Sequence, residues 1–302
     1  GDVYKRQVYM EQNSIVDSKG FRRLEFSSSP EIYDNSLQAW FKDMTNYDLS
    51  LMHFLFGAGA EMANELGIKT EAAHWNKLKS QLPDFDLDNE GSLTFAKGFP
   101  YNASHRHFSH ALAIHPLGII DWSDGEKAQR IIRATLKKMN DYGPDYWTGY
   151  TYSWFANMQA RAFNGEEAAK ALRTFAECFC LKNTFHANGD QSASGKSKFT
   201  YRPFTLEGNF AFAAGIHEML LQSHTGVIRV FPAVPESWKN VSFNNLRAMG
   251  GFLVSAALKD GKVVRLEIYA EKGGRLAVFS PFEHKVVEYD TQPGSRIDLA
   301  VE

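Results

Sequence analysis

Three short stretches carry residues whose types and spacing can do chemistry. In Tyr201–Leu221 (YRPFTLEGNFAFAAGIHEMLL) a carboxylate, Glu207, stands where a loop runs into an apolar helix, and Gly208 and Asn209 follow at once. The free N–H groups and the positive dipole end at a helix start hold a carboxylate ionised and in place. That suits a general base or an anchor for a substrate hydroxyl. It equally describes an ordinary helix cap, and the local residues leave both readings open.

The second stretch is Ser104–His110 with His115-Pro116 behind it, which puts four histidines within eleven residues. The H-x-H and H-x-x-H spacings can bring two nitrogens onto one metal ion. No carboxylate lies between His105 and His115, however, and the H-E-x-x-H pattern is absent. A second reading lets His105 and Arg106 line a polar cleft, with Phe108 packing behind. A third makes these satisfied histidines at a helix start. The remaining stretch, Tyr142–Tyr150 running into Tyr152, Trp154 and Phe155, interleaves aromatic residues with glycines. Trp147 there can serve as a platform for the C–H face of a sugar, or it can simply pack between helices. No G-x-S-x-G elbow, phosphate loop or dinucleotide fingerprint occurs.

The elements that position these residues follow from periodicity. Leu51, Phe54, Leu55, Ala58, Met62 and Leu66 predict a helix over 48–66 with one buried stripe. Further helices are predicted over 71–81, from a Ser123/Glu126 capping box to Gly143, over 152–163 and 166–178, and after Glu207. His107 to Ile114 is a short apolar stretch ended by Pro116, and 182–198 is a polar loop. From Thr225 the period changes. Phe252–Leu258 and Lys262–Tyr269 flank Asp260-Gly261, a strong hairpin signal. Strands follow over 275–279 and near Val286 and Ile297. The pattern predicts a mainly α part and then an all-β part, the helical hairpins suggesting a toroid or bundle.

Bulk properties exclude some partners. Among 302 residues the formal net charge is −2 with no long basic run, which gives no reason to expect nucleic acid or an anionic membrane surface. No stretch reaches the roughly 18 apolar residues of a membrane span. Aromatic residues make up 14 %, an excess that fits carbohydrate binding. Cys178 and Cys180 are badly spaced for a disulfide and read as packing residues. Residues 1–28 begin with GDVYKRQ, show no clear period, and read as a leader or artefact outside the fold.

Together these stretches resemble glycoside hydrolase family 95, the inverting α-L-fucosidase family. The matching pieces are Ser29-Pro30-Glu31, HRHFSH at His105–His110, YTYSWFANMQARAFNGEEAAKAL, FTLEGNFAFAAGIHEMLLQSHTGVIRVFPAVPESW and LRAMGGFLVSAALKDGKV. They run in the family's order from Ser29 to about Gly274. The resemblance implies that 29–224 is the later part of an (α/α)6 six-hairpin toroid and 225–302 the family's β-sandwich-like C-terminal domain. It implies that an earlier part of the same protein completes the site, and a periplasmic or extracellular location. The implied reaction is removal of a terminal α-linked sugar, fucose or L-galactose-like, from a glycan, with no cofactor and no metal.

On the same resemblance Glu207 occupies the place of the catalytic base, an Asp in the family, and Tyr201 replaces a substrate-contacting His. His105, Arg106, Trp147 and Asn209 join them as substrate contacts. The general acid falls in Gly91–Ala96, on Phe95, which has no proton to give; Asp88 and Glu90 lie nearby. That gap leaves room for a non-catalytic carbohydrate-binding homologue, and more remotely for a toroid phosphorylase or lyase.

Overall fold

The computed structural model describes residues 2–299. A helical region is followed by a C-terminal β region, and the chain divides into two compact units at Pro144/Asp145.

The first unit is built on helices α1 (Asp2–Gln12), α2 (Asn46–Glu65), α3 (Lys69–Ser80) and α4 (Glu126–Tyr142). The leader segment thus takes part in the unit: Gln7 of α1 donates from Nε2 to the Leu55 carbonyl at 2.9 Å. Thr45 caps α2 by accepting from the Asp48 N–H at 3.2 Å. The helix is apolar almost all round, so periodicity alone picks the wrong face. The buried stripe is Leu49, Met52, Phe56, Ala60 and Ala63, while Phe54, Met62 and Leu66 of the predicted stripe are exposed. Phe56 stacks on Trp75 of α3 with centroids 6.1 Å apart.

Two more expectations need correction in this unit. The capping box is made by Asp121 and Asp124 around the short turn Trp122–Asp124, and α4 starts only after Gly125. Two carboxylates at that turn outcompete the Ser123/Glu126 pair. The His107–Ile114 stretch yields only a 3₁₀ turn, Ser109–Ala111.

In the second unit α5 (Gly149–Arg161), α6 (Gly165–Cys178) and α7 (Glu207–Leu220) pack together. Arg161 grips Glu218 with two hydrogen bonds, 2.7 and 2.8 Å, joining α5 to α7. Both cysteines are free, and Cys178 is buried.

Among the described residues eight strands complete the unit: β1 (Leu221–Gln222), β2 (Val227–Val230), β3 (Val241–Ala248), β4 (Phe252–Lys259), β5 (Lys262–Ala270), β6 (Gly274–Ser280), β7 (Lys285–Thr291) and β8 (Arg296–Leu299). One sheet has the order β8-β5-β4-β3 and the other β7-β6-β2-β1. Val254, Ala256, Leu266 and Ile268 of the first share a core with Ile228, Leu276 and Val278 of the second. The β4–β5 hairpin turns at Asp260 and Gly261, whose φ values of 50° and 77° are those of a primed turn. Strand β3 has weak alternation and goes unpredicted.

Candidate active site

In the first unit the histidine strip is tied to Ser29-Pro30-Glu31. The buried hydroxyls of Ser29 and Ser109 lie 2.6 Å apart. Glu31 pairs with Arg106, and its Oε2 is 3.0 Å from His107 Nε2. His105 spans the same joint, with Nε2 3.3 Å from the Glu31 carbonyl and Nδ1 3.2 Å from that of His107. Partial burial raises the Glu31 carboxyl, but His107 and Arg106 outweigh it and hold it below its usual value. Burial also keeps His105 and His107 low, so Arg106 is the permanent cation of the group.

A hollow of 180 Å³ lies beside this joint, with Ile32, Tyr33, Phe95, Phe99 and His105 in its lining. Glu31, Tyr33, Asp34 and Asn35 all have positive φ, between 50° and 58°, a costly run for side-chain-bearing residues. It brings Ile32 and Tyr33 to the hollow, and the Asn35 Oδ1 steadies it by accepting from the Glu31 N–H at 3.0 Å. Phe95 is only 7 % exposed, edge-on to His110 at 4.7 Å and to His105 at 6.2 Å. Its loop is fastened by Asn46, which bonds to Asp86 and Thr94, and by Thr135, which accepts from the Leu93 N–H at 3.0 Å.

The carboxylates nearest to Phe95 in sequence are Asp88 and Glu90. Burial raises Asp88, but Lys138 and the N–H groups of Ser92 and Glu90 prevail and hold it low. A carboxylate kept ionised is a poor proton donor. Glu90 is exposed, 3.5 Å from Lys138.

In the second unit Glu207 is the first residue of α7, and Leu206 is the cap residue. The carboxylate is exposed and accepts no hydrogen bond among the described residues, so it does not act as the helix cap. Behind it lies His186, fully buried. Its Nδ1 is 2.6 Å from the Thr205 carbonyl and must donate there; Thr205 Oγ1 is 2.8 Å away. That assigns the proton to Nδ1 and leaves Nε2, buried, without a partner among the described residues. Desolvation lowers His186 against the opposing effects of Thr205 and Glu207, so the imidazole is neutral near pH 7. Burial, then the Glu207 charge, raises the Tyr150 phenol. Tyr150 sits one turn before Ser153, whose Oγ bonds to the Gly208 carbonyl at 3.2 Å.

Asn209 clamps the same loop. Its Oδ1 accepts from the His186 N–H at 3.0 Å and its Nδ2 donates to the Thr184 carbonyl at 2.9 Å. With both ends of the amide engaged on backbone, Asn209 positions the loop rather than presenting a free amide to substrate. Trp147 needs a fuller correction. It is 3 % exposed, and its ring packs on Tyr152 and Phe155 at 5.1 and 5.0 Å. A buried ring offers no face to a sugar.

Exposed aromatic surface instead surrounds the start of α7. Tyr201 is 41 % exposed, its hydroxyl 3.3 Å from Asn188 Nδ2. Phe185 and Phe204 are about half exposed and stack on each other at 4.8 Å. Sequence reasoning missed His186, Glu31, Phe185 and Phe204. Glu31 and Phe204 had a signal, their places in Ser29-Pro30-Glu31 and at the start of FTLEGNF.

Comparison with known proteins gives consistent matches. A model described as the Glycosyl hydrolase family 95 catalytic domain matches residues 6–220, and one for the Glycoside hydrolase family 95 C-terminal domain matches residues 222–298. Alpha-L-fucosidase 2 of Arabidopsis thaliana is 31 % identical over 268 residues, covering 85 % of this chain and 31 % of that protein. Probable alpha-fucosidase A of Aspergillus niger is 23 % identical over 247 residues, 78 % of this chain and 28 % of the relative. The chain therefore spans less than a third of the length of these two relatives.

Proposed function

Because the chain belongs to glycoside hydrolase family 95, we propose that it is part of a glycosidase that removes a terminal α-linked fucose or L-galactose-like sugar with inversion. The observation that carries this reading is the exposed carboxylate of Glu207 at the head of α7, free of any capping role and bordered by exposed aromatic rings. Glu207 acts as the base: it draws a proton from water as that water attacks the anomeric carbon opposite the departing oxygen. Tyr201 touches the sugar. Asn209 holds the loop in register, and within the first unit His105 and Arg106 contact the substrate. The helices belong to an (α/α)6 toroid. No residue of this chain is assigned as the acid, since Phe95 takes its place.

The test is Glu207→Gln in the protein that carries this sequence, assayed on α-L-fucosides and α-L-galactosides. General-base catalysis is worth roughly 10²–10⁴-fold, so kcat falls by that factor. Proton NMR of the first-formed sugar shows the inverted anomer. Near-normal turnover by the variant, or a retained anomer, refutes the reading.

A further inference from the structure

At the far end of α7 from Glu207, about 20 Å along the helix axis, the second unit carries an open groove of 1210 Å³. The Phe231 N–H bonds to the Leu220 carbonyl at 2.7 Å, which puts the groove lining directly against the C-terminus of α7. The volume exceeds the roughly 300–1,000 Å³ of sites for drug-sized ligands. It therefore has room for an oligosaccharide rather than a single small molecule.

Charge and ring chemistry narrow the occupant. Arg229, Lys239 and Lys262 in the lining stand against one lining carboxylate, Glu236. Lys239 and Lys262 are exposed, and neither has an ion-pair partner among the described residues. Their places are set by the backbone: the Gly261 N–H bonds to the Lys239 carbonyl at 2.9 Å, so the hairpin turn carries Lys262 beside Lys239. Trp238, half-buried in the same lining, adds an amphipathic ring for the C–H face of a sugar.

We propose that this groove binds a uronate-bearing polysaccharide and so tethers the protein to an acidic glycan, apart from the site at Glu207. Three lining cations against one lining carboxylate, beside the Trp238 ring, suit a polymer with one carboxylate per ring. A densely sulfated chain would call for more cations than this lining holds.

The test is affinity electrophoresis of the full chain in gels containing polygalacturonate, a sulfated galactan or a neutral galactan. The expected result is retardation by polygalacturonate alone, weakening as salt is raised. In the double variant Lys239→Glu/Lys262→Glu the apparent Kd rises at least tenfold while the thermal midpoint stays put, because both side chains are exposed. Trp238→Ala weakens binding with less salt dependence. Equal retardation by neutral galactan, tighter retention by the sulfated polymer, or unchanged binding by the double variant overturns the proposal. Since the readout is binding, its failure leaves hydrolysis at Glu207 untouched.

Discussion

A Cβ placed on Gly208 would stand 2.3 Å from Nδ1 of His186, so α7 reaches the buried imidazole only because residue 208 has no side chain. Gly149, at the head of α5, meets the other side of the same ring, its notional Cβ 2.3 Å from Nε2. One histidine thus sets the distance between two helix starts, and Glu207 rides on one of them.

Gly208→Ala gains about 1 kcal/mol of helix propensity but overpacks a site costing roughly 1–3 kcal/mol. The clash involves a ring wedged between backbones and cannot be relieved by a flexible tip. The cost therefore falls in the upper part of that range, and a net loss of about 1–2 kcal/mol is expected in urea unfolding. Equal or higher stability would mean that the imidazole shifts freely.

Glu207→Asp shortens the proposed base by one methylene while leaving its charge and helix position alone. Misplacement of a reacting group by about 1 Å can lower the rate about 10²-fold. The expected outcome is a large fall in kcat with KM within a few-fold. A KM effect alone would make Glu207 a binding residue instead.

Phe204→Ala removes one ring of the exposed stacked pair with Phe185. A ring contact worth about 0.5–1.5 kcal/mol corresponds to roughly a two- to twelvefold rise in KM on the glycan substrate, with kcat little changed. Since Phe204 is 51 % exposed, the melting temperature should hold. Unchanged KM would remove the pair from the substrate path.

Phe95 gives a prediction about leaving groups. On the proposed assignment of the acid's place to Phe95, and with Asp88 held low by Lys138, the leaving group departs unprotonated. Turnover should therefore fall steeply as the leaving-group pKa rises across a series of aryl fucosides. A flat dependence would show that another group supplies the proton.

Much of the architecture was legible because it rests on local signals. The helix after Glu207 and the Asp260-Gly261 turn are each written in a few adjacent residues. What failed depended on distant partners. The buried face of α2 is decided by Gln7 and Trp75, not by its own nearly uniform apolarity. Trp147 looks like a platform until Tyr152 and Phe155 cover it, and Glu31 matters through residues some 75 positions away. His186 was invisible because its importance lies in two glycines from two other elements.

The last prediction concerns acid. His110 is fully buried between Tyr101, at 5.0 Å, and Phe95, and neither ring nitrogen has a partner among the described residues. Desolvation, helped by His105, depresses it to about 3, against about 6.5 in an unfolded chain. Above pH 6.5 both states are neutral and the residue contributes no pH dependence. Below that value the unfolded chain takes up a proton that the folded one refuses, so stability drains away as pH falls from about 6.5 toward 3. For one such histidine the loss at pH 5 is roughly 2 kcal/mol, and lowered His105, His107 and His186 add in the same direction. His110→Phe should be close to neutral at pH 7.5, since no hydrogen bond is lost. At pH 5 it should unfold at higher urea than the parent. Parallel losses in parent and variant between the two pH values would mean that His110 is protonated inside the fold, contrary to its apolar surroundings.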